Sequence, residues 1–151
     1  MTQFKQFSNL TVNGWININA LGDYEISFSP GVYKISLPND GNGFKFQVTD
    51  SSNNTFSIRS GSDPNTGQWY MVTLVYDQSN LNGYVNSGTT NSTSTDGNPL
   101  ADGSLGIQFG GIDGKGQEFR VYDEAVTESE IQELYDVVDT PGTLVSSKKS
   151  L

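Results

Sequence analysis

The chain has 151 residues, 17 of them acidic and 8 basic, with no cysteine and no histidine. That length suits one domain with a proper core. The missing side chains exclude disulfides, thiolate or imidazole metal sites and every catalytic device built on Cys or His. A formal charge of −9, with basic residues scattered apart from Lys148-Lys149, argues against a nucleic-acid interface, and no apolar run is long enough for a membrane-spanning helix.

The chain opens on MTQFKQFSNL, which lacks the apolar stretch of a signal peptide. Period-two alternation then dominates to about residue 122. Val12, Gly14, Ile16 and Ile18 alternate with polar residues and Trp15, followed by Tyr24, Ile26 and Phe28, and by Tyr33, Ile35 and Leu37. Phe44, Phe46 and Val48 form the next set, then Phe56 and Ile58. The segment from Gln68 to Asp77 is apolar on both faces, which predicts a strand buried on both sides. Tyr84-Val85, then Leu105, Ile107 and Phe109, then Phe119 and Val121 complete the series. Turn dipeptides such as Pro30-Gly31, Asp40-Gly41, Asn42-Gly43, Asn82-Gly83 and Asp102-Gly103 punctuate these runs, and this spacing predicts an all-β sandwich. Residues 87–98, SGTTNSTSTDGN, hold no apolar side chain and read as a loop.

One segment departs from the pattern. Thr127-Glu128-Ser129-Glu130 is a capping box, and Ile131, Leu134, Tyr135 and Val138 then make one helical stripe before Pro141-Gly142. The predicted architecture is an antiparallel jelly-roll β-sandwich of two sheets with one short C-terminal α-helix, over residues 1–140, with 141–151 as an extension. The glycine-rich run Gly110–Gly116 lacks the Walker spacing and reads as a turn between the last strands.

Several ordered pieces resemble a known family. They are Leu10–Ile16 (LTVNGWI), Trp69–Asp77 (WYMVTLVYD), Gly83–Gly88 (GYVNSG), Leu105-Gly106-Ile107, and Phe119–Thr127 (FRVYDEAVT) running into Glu130-Ile131 and Leu134-Tyr135. Together they are similar to the laminin-G-like branch of the concanavalin A-like lectin/glucanase superfamily, over about residues 8–137. The familiar Ile-Asp of the last strand is replaced here by Gly116-Gln117. The resemblance implies a jelly roll whose members mostly bind glycans, proteins or neighbouring domains, with a minority of glycoside hydrolases in the wider superfamily.

Hydrolysis needs two carboxyl groups flanking one bond. The hydrolases' E-x-D-x-E strand is absent: of six Glu, five lie at or after Glu118, and Glu25 shares a strand face only with Asp23, read as an exposed edge. The chain is therefore expected not to be an enzyme. Sugar recognition needs aromatic faces and planar polar groups. Tyr24, Tyr33 and Tyr84, with Asn53, Asn54, Asn65 and Asn91, are the expected ligand-binding residues, while Trp15 and Trp69 are assigned to the core. No cofactor is required. If a metal binds, calcium suits the donors, and the family's rim sites imply Asp77, Asn80, Asp96, Asp102 and Asp113 as its ligands.

The expected function is a non-catalytic structural and recognition subunit of an extracellular particle, such as a virion decoration, turret or fibre protein that contacts host glycans. A chain without a signal peptide that is released by lysis fits that setting. Its expected partners are copies of itself or other subunits of an assembly, and a glycan, with no nucleic acid and no membrane insertion. The alternatives are a stand-alone adhesion module on a cell surface and, more remotely, a glycoside hydrolase.

Overall fold

A computed structural model describes residues 4–5, 7–29, 31–104 and 108–137. The alternating runs become the strands β1 (Phe4–Lys5), β2 (Leu10–Ile18), β3 (Tyr24–Ser29), β4 (Tyr33–Leu37), β5 (Lys45–Thr49), β6 (Thr55–Arg59), β7 (Trp69–Tyr76), β8 (Asn80–Val85), β9 (Gly88–Ser94), β10 (Gly103–Ser104), β11 (Gln108–Gly110) and β12 (Gly114–Tyr122), followed by α1 (Glu128–Val137). One five-stranded sheet has the order β11-β3-β4-β5-β6 and the other β12-β2-β7-β8-β9, while β1 and β10 form a separate ribbon. Every pairing among the named strands is antiparallel.

The main core lies between the two sheets. Leu10, Val12, Ile16 and Ile18 of β2 and Val72, Leu74 and Tyr76 of β7 meet Ile26, Phe28, Tyr33, Ile35, Phe46 and Val48 of the facing sheet. The opposite face of β7 is also covered, as its sequence predicts. Met71 and Val75 join Trp15, Tyr84, Val126, Ile131 and Leu134 in a second core under the helix.

The capping box forms as the sequence predicts: the Glu130 amide donates to Thr127 Oγ1 at 3.2 Å, and the Thr127 amide donates to Glu130 Oε1 at 3.1 Å. Ile131 and Leu134 then bury the helix stripe, at roughly 2 kcal/mol for each side chain removed from water. Tyr135 stacks on Trp15 with ring centroids 5.5 Å apart. Val138, the rest of the predicted stripe, and the extension at 141–151 lie outside the described residues, as do Leu105-Gly106-Ile107.

Two expectations change. The stretch read as a loop at 87–98 contains β9, the edge strand paired to β8 from Asn80↔Ser94 to Val85↔Gly88. Its residues are Ser, Thr, Asn and Gly, so the apolar alternation that reveals a strand is missing. Glu25 stands on a sheet face rather than at an edge, because β3 lies between β11 and β4, and it bonds Lys34 Nζ at 3.0 Å. Among the described residues, no helix is long and apolar enough to cross a membrane.

Candidate functional site

The registers sort the loops between two ends of the sandwich. Leu10 pairs Tyr76 at one end of β2, and Asn17 pairs Trp69 at the other. The Tyr76 end collects Asp50, Asp77 and Asp96, and the Trp69 end collects the connections around Phe44 and Tyr70.

At the Trp69 end a groove of about 390 Å³ opens between the sheets, lined by Phe44, Ser60, Ser62, Asp63, Pro64, Asn65, Tyr70 and Val85. Its volume is at the small end of the ~300–1,000 Å³ usual for ligand sites. Tyr70 continues the inward-facing series of Val72 and Leu74, and as the second residue of β7 it packs at the margin of the core, half-buried. Its ring meets Phe44 at 6.4 Å and 59°. The loop between β6 and β7 folds over these rings and is fixed by its own polar groups. Asp63 Oδ1 accepts the Gly43 amide at 2.8 Å, Ser60 Oγ accepts the Phe44 amide at 2.8 Å, and the Tyr70 hydroxyl accepts the Asn65 amide at 2.9 Å. Asn65 Nδ2 reaches Gln68 Oε1 at 3.4 Å.

Gly43 is required at the base of this loop. Its φ is +75°, and a Cβ there would stand 2.0 Å from Ser60 Oγ and 2.2 Å from the Ser62 carbonyl oxygen. Beside it, Arg59 donates to Asp40 at 3.0 and 2.6 Å and to the Gly43 carbonyl at 3.0 Å. The hydrogen bonds from Arg59 lead the causes that pull the Asp40 carboxyl down to about 2.

Of the seven residues expected to meet a ligand, only Asn65 lines this groove. Tyr24 stands at the same end of the sandwich, half-buried, with its hydroxyl donating to the Ala20 carbonyl. Two of the expected tyrosines are core residues instead. Tyr33 is 2% exposed, packed between Phe7 and Phe28, and Tyr84 is 5% exposed in the core beneath the helix. Burial drives the Tyr33 hydroxyl up to about 12. Asn53 and Asn54 form the β5–β6 turn at the opposite end, where Asn53 takes a φ of 67°. On β9, the Asn91 amide bonds the Arg59 carbonyl at 3.5 Å and its side-chain oxygen accepts the Ser92 amide at 2.8 Å, so Asn91 ties two sheet edges together. Sequence reasoning missed Ser60, Ser62, Asp63 and Tyr70, while Phe44 is the core residue its alternation predicts. The available signal was the polar connection at 60–68 leading directly into an aromatic strand.

The five expected calcium ligands do not gather. Asp77 Oδ1 closes the β7–β8 turn by accepting the Ser79 and Asn80 amides at 3.0 and 2.6 Å. Asp96 lies at the same end and accepts Asn54 Nδ2 at 3.0 Å. Asp102 follows the Leu100 bridge in an exposed position, and Asp113 accepts Asn19 Nδ2 at 3.2 Å in the β11–β12 turn at the Trp69 end. Among the described residues, no group of three or more Asp or Glu is arranged to hold a metal ion.

The fold and its ordered strands define a lectin-type jelly roll. The chain belongs to the concanavalin A-like lectin/glucanase superfamily, in its laminin-G-like branch, which its sequence matches over residues 2–132. Solved structures share the fold at low identity. The botulinum neurotoxin serotype G binding domain superposes with a TM-score of 0.67 at 16% identity, covering 91% of this chain and 38% of that one. The binding domain of Paraclostridial mosquitocidal protein 1 gives 0.63 at 19% identity, covering 85% and 37%. A heptameric SAP-like pentraxin from Limulus polyphemus gives 0.65 at 16% identity, covering 89% and 73%. The chain thus spans little more than a third of the toxin binding domains it matches. No curated protein shows significant sequence similarity to it.

Proposed function

We propose that this chain is a non-catalytic recognition subunit that works outside the cell and holds a glycan in the groove at the Trp69 end. The observation that carries this reading is the pairing of an aromatic side chain with fixed polar groups: the half-buried Tyr70, backed by the core residue Phe44, beside Ser60, Ser62, Asp63 and Asn65. An apolar ring face and a few oriented donors and acceptors are what a sugar ring needs. Membership of a lectin-type family supports the same reading. Asp63 is the one carboxylate among the groove's described lining residues, whereas glycoside hydrolysis uses two.

The setting we propose is an oligomeric particle such as a virion, with a stand-alone cell-surface module as the alternative. The similarity to a heptameric pentraxin supports the assembled form. Light scattering separates the two settings, since a stable oligomer fits the particle and a strict monomer fits the module. The glycan reading is tested on an array with wild type and with Ser62→Trp, which plugs the groove from an exposed position. Wild type binds and the variant does not. Equal binding by both proteins refutes the groove as the site.

A further inference from the structure

Among the groove's described lining residues Asp63 is the one charged side chain, and this bears on which sugars enter it. Asp63 uses Oδ1 for the Gly43 amide, and among the described residues Oδ2 has no partner. The Tyr70 hydroxyl accepts from Asn65, which leaves its own hydrogen to donate. The exposed Ser62, next to Asp63 in sequence, lines the same groove, and its hydroxyl both donates and accepts. A carboxylate acceptor next to hydroxyl donors matches adjacent hydroxyls on a pyranose. The nearest guanidinium, Arg59, is committed to both oxygens of Asp40 and to the Gly43 carbonyl. No lysine or arginine is among the groove's described lining residues, and the chain as a whole carries −9.

From this juxtaposition of Asp63, Ser62 and Tyr70 in a groove without a cation, we infer that the site selects neutral glycan ends and rejects carboxylated or sulfated ones. The inference rests on the glycan reading above and specifies its ligand class. Asp63 plays two parts. Its charge strengthens hydrogen bonds from sugar hydroxyls, and the same charge repels an anionic sugar, since like charges brought together across an interface are strongly disfavoured. The groove's modest volume, about 390 Å³, limits the bound portion to the end of a chain.

The test uses a panel of neutral oligosaccharides, including lactose, each paired with its sialic-acid-capped or sulfated counterpart, titrated into the full chain by calorimetry. Wild type binds neutral members and binds their capped counterparts roughly tenfold or more weakly. Asp63→Asn, which keeps an oxygen for the Gly43 amide, narrows that gap by lowering neutral affinity and raising acidic affinity. Ser62→Lys, at an exposed position, narrows it without touching Asp63. Equal or tighter binding of capped sugars by wild type overturns the selectivity while leaving glycan recognition standing. Binding of no panel member by wild type overturns both.

Discussion

Asp50 is 0% exposed and yet ionised, and its surroundings explain how. Burial alone favours the neutral acid. Against that, Asn98 Nδ2 donates at 3.1 Å, the Asn54 amide at 2.9 Å and the Ser52 amide at 3.0 Å. These bonds outweigh burial, and the carboxyl is held below its ordinary range. The folded value therefore lies under the unfolded one, so the stabilisation is complete above the unfolded value near ~4 and is lost as pH falls through the folded value. Asp50→Ala removes the acceptor of three part-buried hydrogen bonds and is expected to lower stability by about 1–3 kcal/mol at neutral pH. Urea unfolding at pH 7 and at pH 3 measures this, and the variant should lose less on acidification than wild type does. Nothing in the sequence separates Asp50 from the other turn acids, because the partner that matters, Asn98, is 48 positions away. The tyrosines carry the same lesson. A residue flanking a turn with a polar tip looks suited to a ligand, but Tyr33 is packed between two phenylalanines and its buried hydroxyl has no partner among the described residues.

Elements were legible where side chains reported their surroundings. The two apolar faces of β7 announced its two cores, and the capping box placed the start of α1 at Thr127. Edge strand β9 was not legible, since threonine and serine carry no inside-outside signal. The bulge in β12 was equally hidden. Glu118 takes a φ of 59° between the registers of Gln117 and Arg120, and Phe119 packs into the interior, 6.1 Å from Phe28. That placement depends on Gly14 across the ladder, where a Cβ would stand 2.1 Å from Phe119 Cδ1. Gly14→Ala should cost about 1–3 kcal/mol by overpacking. In combination with Phe119→Leu, part of that loss is recovered, so the double variant is more stable than the sum of the single effects predicts. Simple additivity in chemical denaturation contradicts the direct contact.

At the scale of the whole molecule, the sandwich sets its two ends to different work. The Tyr76 end is closed by carboxylates bonded to backbone amides and asparagines, which serve its turns. The Trp69 end carries the groove, whose lining comes from residues 44, 60, 62–65, 70 and 85. The fold class was readable because it follows from a period repeated along the chain. The groove was not, because it exists only after four separate segments meet, and Tyr70 reads in sequence as one more core residue of an alternating strand. The proposed recognition occurs at this end. Amide NMR on the isotopically labelled chain, titrated with a neutral oligosaccharide identified on the array, tests it most directly. Saturable shifts are expected at Ser62, Asp63, Asn65 and Tyr70, with the Asp50 turn and α1 unmoved. Shifts centred on the Asp50 end, on α1 or on the outer face of either sheet would contradict it.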